Sequence, residues 1–173
     1  MKIISVFLVL LLLSLTSFAK GLSSSMGSDF SRFKASLEAS QHLSIYEGLP
    51  HQTWDRELLI EEKKRKDTAQ IWKFPFYTPS VRATNAELLR RILLQLGAIR
   101  KYGGEKLCGG YHPDFCVSWK AGEVESYALI CFGCSEIVFY DAKESQIFDL
   151  SSKATKSLQM ALKIYSKKRP KSL

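Results

Sequence analysis

Phe115-Cys116-Val117-Ser118-Trp119-Lys120-Ala121-Gly122-Glu123-Val124-Glu125-Ser126-Tyr127-Ala128-Leu129-Ile130-Cys131 is the stretch that decides the fold. Phe115, Val117 and Trp119 alternate with Cys116, Ser118 and Lys120, the period of two that sends successive side chains to opposite faces of a strand. A turn at Ala121-Gly122 leads into a second run, residues 124–132. That connection sets Trp119 opposite Val124, Val117 opposite Ser126 and Phe115 opposite Ala128. Lys120 then faces Glu123, an opposite-charge pair. One face of this hairpin is apolar and the register is coherent.

Outward from the hairpin, a second turn at Phe132-Gly133 returns the chain as a strand over 135–141, and 146–150 adds a fourth. A last amphipathic helix over 152–166 turns Leu158, Ala161, Leu162 and Tyr165 inward. Toward the N-terminus, Phe30, Phe33 and Leu37 share one face of a first helix over 29–40. Gly48-Leu49-Pro50-His51 breaks the chain before a second helix over 53–66, with Thr53 as its N-cap and Lys63–Lys66 at its negative end. Residues 69–74 are a short extended candidate. Thr84-Asn85-Ala86-Glu87 reads as a capping box opening a third helix over 85–100, with Leu88, Ile92, Leu96 and Ile99 as its core stripe. Together these predict one α+β domain over 29–166. It consists of N-terminal helices, a small antiparallel β-meander of three to four strands, and a C-terminal helix.

The beginning of the chain reads as an export signal. Lys2 precedes an almost wholly apolar run over 3–15, and Ser17-Phe18-Ala19 places small residues for a cut before Lys20. The apolar run is about 13 residues, short of the roughly 20 that a spanning helix needs. Residues 1–19 are therefore expected to be removed, residues 20–28 to form a Gly/Ser-rich linker, and the mature chain to act in the periplasm or outside the cell. Nothing later in the sequence is long and apolar enough to span a membrane. The remaining length suffices for one domain with a real core.

The charge is unevenly placed. Lys+Arg number 25 against 17 Asp+Glu. No acid follows Asp149, while Lys153, Lys156, Lys163, Lys167, Lys168, Arg169 and Lys171 do. A basic tail over 167–173 suits an anionic envelope surface, and export disfavours nucleic acid as its partner.

The chemistry-bearing residues cluster. Cys108, Cys116, Cys131 and Cys134 are an even set in an exported chain, which favours disulfides, and four cysteines allow three pairings. Cys131 with Cys134 and Cys108 with Cys116, or a crossed pairing, would staple a Gly-rich loop to the sheet. The alternative is a zinc-type site of Cys108, His112, Cys131 and Cys134, since thiolates and imidazole in tetrahedral array suit Zn²⁺. Carrying the hairpin register to its open end puts His112 opposite Cys131. A third reading is thiol–disulfide exchange through Cys131-Phe132-Gly133-Cys134. Here a strand pattern follows the pair, so no helix dipole is available to lower a thiol pKa. His112 and Asp114 beside a cysteine resemble a nucleophile–base set, although His-Pro-Asp also suits a turn. His42 and His51 read as isolated surface residues.

Phe74, Phe76 and Tyr77, between Pro75 and Pro79, form a candidate aromatic binding loop in which the prolines oppose regular structure. No G-x-S-x-G, P-loop or H-E-x-x-H is present, and no paired carboxylates stand out, so enzymatic activity is left open. No cofactor is expected beyond the zinc of the alternative reading.

Tyr46-Glu47-Gly48-Leu49-Pro50-His51, Phe74-Pro75-Phe76-Tyr77, Cys108-Gly109-Gly110-Tyr111-His112-Pro113-Asp114 and Ile130-Cys131-Phe132-Gly133-Cys134 resemble, in that order, the recurring blocks of a family of small exported bacterial proteins. The resemblance covers roughly residues 40–140 and leaves out the chain after Asp149. It implies a bacterial envelope or secreted protein and carries no activity, ligand or catalytic residue. The expectation is an exported, non-catalytic protein with a structural cysteine cluster, with metal binding or CxxC redox chemistry as the alternative.

Overall fold

Residues 27–170 are described by the structure, a computed structural model. The expected signal peptide, residues 20–26 of the linker and residues 171–173 lie outside them. Contacts divide the chain into residues 1–32 and 33–173. Of the first unit only the opening of helix α1 is described; the sheets and the other helices belong to the second. In chain order the elements are α1 (Gly27–Ala39), β1 (Leu43–Glu47), α2 (Arg56–Glu62), β2 (Thr68–Ile71), β3 (Phe74–Tyr77), β4 (Val81–Arg82), α3 (Ala86–Leu94), β5 (Ile99–Lys101), β6 (Phe115–Ala121), β7 (Val124–Cys131), β8 (Glu136–Asp141), β9 (Ser145–Leu150), α4 (Ser152–Leu162) and a 3-10 turn (Lys163–Tyr165).

The α+β class holds, but the sheet is larger than a small meander. Seven strands run in the order β4-β1-β6-β7-β8-β9-β5, and β2-β3 form a separate two-stranded sheet. The four expected strands are β6 to β9. The sheet grows because β1 and β4 extend it beyond β6, while β5 pairs with β9.

The β6–β7 hairpin turns one position later than expected, at Gly122-Glu123, which shifts the pairing register by two. Ala121 pairs with Val124, Trp119 with Ser126, Val117 with Ala128 and Phe115 with Ile130. Gly122 takes φ +61°, the left-handed conformation that tight hairpin turns favour at this position. The charge pair becomes Lys120 with Glu125. A slip of two, unlike a slip of one, leaves every side chain on its expected face.

Phe115, Val117, Trp119, Ala128, Ile130, Ile137 and Phe139 are buried on one face. Residues 33–39 of helix α1, which belong to the same unit, cover part of it. Phe33 stands 5.4 Å from Phe139 by ring centroids, and the Trp119 indole donates to Ser36 Oγ at 2.9 Å. Cys116, Leu129 and Val138 belong to the other face, where Phe76 of the β2–β3 hairpin packs with Tyr46, Tyr127, Tyr140, Trp72 and Tyr111.

The candidate aromatic loop is therefore strand β3. Gln70 pairs with Pro75 and Ala69 with Phe76. A proline is tolerated because a two-stranded sheet is all edge, so its missing N–H can face away from the ladder. Phe76 and Tyr77 are 0% and 1% exposed, too buried to serve as a ligand platform, and Phe74 is half-buried with its ring against Tyr111.

The third helix also needs correcting. It ends at Leu94, its buried residues are Leu89, Ile92 and Leu93, and Leu96 is fully exposed. Gly97, at φ +75°, turns the chain, and Ile99 opens β5 instead of closing a helical stripe. Neither expected cap residue caps. Thr84 bonds the Tyr165 hydroxyl, Asn85 reaches Ala161 O and Tyr165, and Glu87 pairs with Arg90. These bonds tie the start of α3 to the end of α4. Helix α2 begins at Arg56 and not near Thr53. At the C-terminal helix the expected inward side agrees, with Leu158, Ala161, Leu162 and Tyr165 buried, but the α-helix gives way to the 3-10 turn after Leu162. Ser151, which was not expected as a cap, accepts the Ala154 N–H through Oγ.

Candidate functional site: a cysteine and histidine loop cluster

The strand register decides which loops meet. Glu47, the last residue of β1, pairs with Phe115 at the start of β6, so the next residue outward, Gly48, meets Asp114 and donates to its carbonyl at 2.8 Å. On the other side of β6, the Asp114 N–H donates to Ile130 O at 2.7 Å, and the Phe132 N–H donates to Asp114 Oδ2 at 2.8 Å. The segments 48–54, 108–114 and 131–134 thus converge at one end of the sheet.

Beyond Gly48, Leu49 O bonds His112 Nε2 at 2.8 Å. A carbonyl can only accept, so the His112 proton sits on Nε2 and Nδ1 is bare. His51 is not an isolated surface residue. Its Nδ1 accepts the backbone N–H of Thr53 at 3.0 Å, and its ring lies 4.7 Å from the His112 ring by centroids. His112 is buried, and burial first, then the charges of Arg169 and His51, push it down to about 4, with Asp114 pulling the other way. Thr53 does not cap a helix. Its hydroxyl donates to Gly109 O at 2.8 Å, and the exposed Trp54 ring lies against Gly109.

Cys108 and Cys134 stand at disulfide distance, with Sγ atoms 2.07 Å and Cα atoms 5.4 Å apart. This is a crossed pairing, in place of Cys131 with Cys134 and Cys108 with Cys116. Cys116 is 0% exposed on the sheet face beneath Phe76, remote in role from the loop that holds Cys108. Cys116 and Cys131 are free and buried. Burial pushes the Cys116 thiol well above its ordinary value. Burial also raises Cys131, against the opposing pull of the His112 and Cys134 backbone N–H groups, the latter 3.3 Å from its sulfur. The two-residue register shift no longer sets His112 opposite Cys131 as expected; the His112 backbone still reaches the Cys131 sulfur, while its ring turns to Leu49 O. Two of the four residues of the zinc-type set are thus joined to each other and a third holds a carbonyl. Among the described residues no group of three or more His, Cys, Asp or Glu is placed to hold a metal ion.

Sequence reasoning missed two residues that complete the cluster. Glu47, 5% exposed, accepts from Ser166 Oγ at 3.1 Å, Lys167 N at 2.9 Å and Lys168 N at 2.7 Å. Arg169 donates from Nε to Gly48 O at 2.8 Å and pairs with Asp114 Oδ1 at 3.0 Å. The beginning of the expected basic tail is therefore bonded to β1 and to the Asp114 turn. Lys153, Lys156, Lys163 and Lys167 are exposed. A cleft of about 470 Å³ opens here, lined by Glu47, Asp114, Phe132, Met160, Lys163 and Arg169 among others. The only local signal for Glu47 was its place next to the Gly-Leu-Pro-His breaker, and for Arg169 the break in helical pattern before Pro170. Neither names its partner.

Tyr111 anchors the same loop to the sheet. Its hydroxyl donates to Leu129 O and accepts the Val138 N–H at 3.2 Å, bridging β7 and β8. Tyr111→Phe is expected to leave both backbone groups short of a partner and to cost about 1–3 kcal/mol by urea unfolding. An unchanged midpoint would show that the two strands close the gap themselves.

Compared with family models, curated proteins and solved structures, the chain matches none.

Proposed function

We propose that this chain is an exported, periplasmic or secreted, non-catalytic protein whose cysteine cluster is structural. The observation that carries this reading is the Cys108–Cys134 pair, which holds the Gly-rich loop against the β7–β8 turn. Residues 102–114 are without helix or strand, so their order rests on a few anchors, this pair and Tyr111 among them. Closing the loop between two cysteines 26 positions apart restricts the unfolded chain by about 3.5 kcal/mol in the chain-entropy account. Oxidising compartments outside the cytosol are where such bonds persist. The two remaining thiols are buried and raised, so at neutral pH they present little thiolate to an external substrate or a metal ion. The exposed lysines of and beyond α4 supply the basic face for an anionic envelope surface.

Thiol titration tests the cysteine part. The folded protein is expected to react slowly, to show two thiols on unfolding, and to show four after reduction. Peptide mapping is expected to link Cys108 to Cys134. Four thiols without reductant, together with stoichiometric zinc, would sink this reading in favour of the Cys108, His112, Cys131 and Cys134 metal site. N-terminal sequencing of the chain expressed in a bacterium tests export: a start at Lys20 in the periplasm or medium supports it, and an intact Met1 in the cytosol opposes it.

A further inference from the structure

Cys134 is bonded to one cysteine sulfur and touched through its backbone by a second. It is joined to Cys108, and the free thiol of Cys131 stands three positions before it in the tight β7–β8 turn. The Cys134 N–H points at Cys131 Sγ from 3.3 Å. A sulfur this close to the Cys134 backbone lies within reach of the Cys134 side chain, which starts one bond away at Cα. Disulfides span roughly 4.4–6.8 Å between Cα atoms.

We infer that Cys131 is a resolving thiol for the Cys108–Cys134 bond, so that the protein exchanges with a Cys131–Cys134 form in which Cys108 is a free thiol open to modification. The inference rests on the Cys108–Cys134 pairing of the proposed function and goes beyond a permanent staple. The step balances within the chain. Cys131 gives its proton to solvent, and its thiolate attacks Cys134 Sγ. The Cys131–Cys134 bond forms as the Cys134–Cys108 bond breaks, the bonding pair leaves on Cys108, and that thiolate takes a proton from solvent. No oxidant or reductant is consumed, and two thiols are present before and after.

Position favours this direction of attack. Cys116 is enclosed beneath Phe76, which leaves Cys131, at the end of β7, as the free thiol next to the β7–β8 turn. Cys108 is half-buried on an irregular loop, next to the fully exposed Leu107. A buried thiol of raised pKa forms little thiolate, but that thiolate is intrinsically the stronger nucleophile, and access to the half-buried Cys108 lets solvent take up the leaving thiolate. The expected consequence is slow exchange at neutral pH that quickens as pH rises. It frees the 108–110 loop from the β7–β8 turn and presents one thiol to external disulfides.

Trypsin separates the participants. Residues 107–120 carry Cys108 and Cys116, and residues 121–143 carry Cys131 and Cys134. The folded, oxidised protein is incubated with iodoacetamide and its tryptic peptides are weighed. Initially the two peptides are cross-linked. With time the cross-link is expected to give way to a 107–120 peptide alkylated at Cys108 and a 121–143 peptide carrying an internal disulfide. The rate should rise about tenfold per pH unit between pH 7 and pH 9, following the thiolate fraction. Cys131→Ser and Cys131→Ala, checked by circular dichroism, should keep the cross-link, and Cys116→Ser should lose it like the parent. If the Cys131 variants do not fold, the internal disulfide and the pH profile of the parent decide the matter. A cross-link that persists for a day at pH 9 in the folded parent, or that is lost equally without Cys131, overturns the inference and leaves the staple standing. Four free thiols at the outset overturn the staple itself.

Discussion

Lowering the pH from 6.5 to 4 is expected to remove about 3 kcal/mol of stability through His112 alone, because its pKa falls from 6.5 in the unfolded chain to about 4 in the fold. In that window the unfolded chain binds a proton at this imidazole and the folded chain does not. Stability therefore rises with pH there. The contribution is fully present above pH 6.5 and is lost as pH falls toward 4. The cause is local. The ring is enclosed, it is packed on His51, and Arg169 stands near, so a second positive charge finds neither water nor a free acceptor. Asp114 is the carboxylate that acts on the ring, and it is already engaged by Arg169 and the Phe132 N–H. Urea unfolding at pH 7, 6, 5 and 4.5 reads the slope. His112→Gln retains an amide donor for Leu49 O and carries no titrating group, so its profile should be flatter than that of the parent across this range. Parallel profiles would show that the acid sensitivity belongs to the carboxylates and not to His112.

What the sequence made legible follows from the range of the interactions concerned. Strands β6 to β9 are long enough for alternation to show, and their faces survive a two-residue error in register because parity is preserved. The short strands escaped for two reasons. Ile99-Arg100-Lys101 continues a plausible helical stripe, and becomes a strand because β9, some fifty positions later, offers an edge. Leu43-Ser44-Ile45-Tyr46-Glu47 is the right length, but it ends on a charged residue whose three hydrogen-bond donors come from residues 166–168. The candidate site was half legible in the same sense. Cys108, His112, Cys131 and Cys134 were identified as one neighbourhood, and they are one. Which sulfur joins which depends on Cys116 turning into the aromatic face of the sheet. The partner of Asp114 is Arg169, an ion pair between segments that share no local pattern. Phe74, Phe76 and Tyr77 show the converse error. Two prolines argued for a loop, and a hairpin with no inner strand accommodated one of them.

Gly48→Ala is expected to destabilise the protein by roughly 3–5 kcal/mol, a large effect for one methyl group. On general grounds the substitution should help. Gly48 lacks the left-handed φ of Gly109 and Gly110, and replacing glycine by alanine at a compatible backbone stabilises by about 0.4–1 kcal/mol through the unfolded chain. The site reverses the sign. A Cβ at Gly48 would lie 2.1 Å from Pro113 O and 3.1 Å from both Asp114 O and the Arg169 guanidinium. Two of those three neighbours are backbone, so no side-chain rotation relieves the clash. The 113–114 backbone must move away from β1. That movement takes with it the Gly48–Asp114 hydrogen bond, the Arg169 contacts to Gly48 O and Asp114, and the placement of His112 on Leu49 O. Each such bond is worth about 0.5–1.5 kcal/mol, or 1.5–3 where charge is involved. Gly133→Ala supplies the comparison within the same cluster: nothing lies within 4 Å of its added Cβ, and its midpoint should stay within about 0.5 kcal/mol of the parent. The two variants differ by position alone, so urea unfolding of both separates close backbone approach from a general intolerance of these loops. If Gly48→Ala is as stable as Gly133→Ala, the contact between the 48–51 and 108–114 segments is looser than described. The low pKa of His112, which depends on the same contact, should then also relax toward its ordinary value.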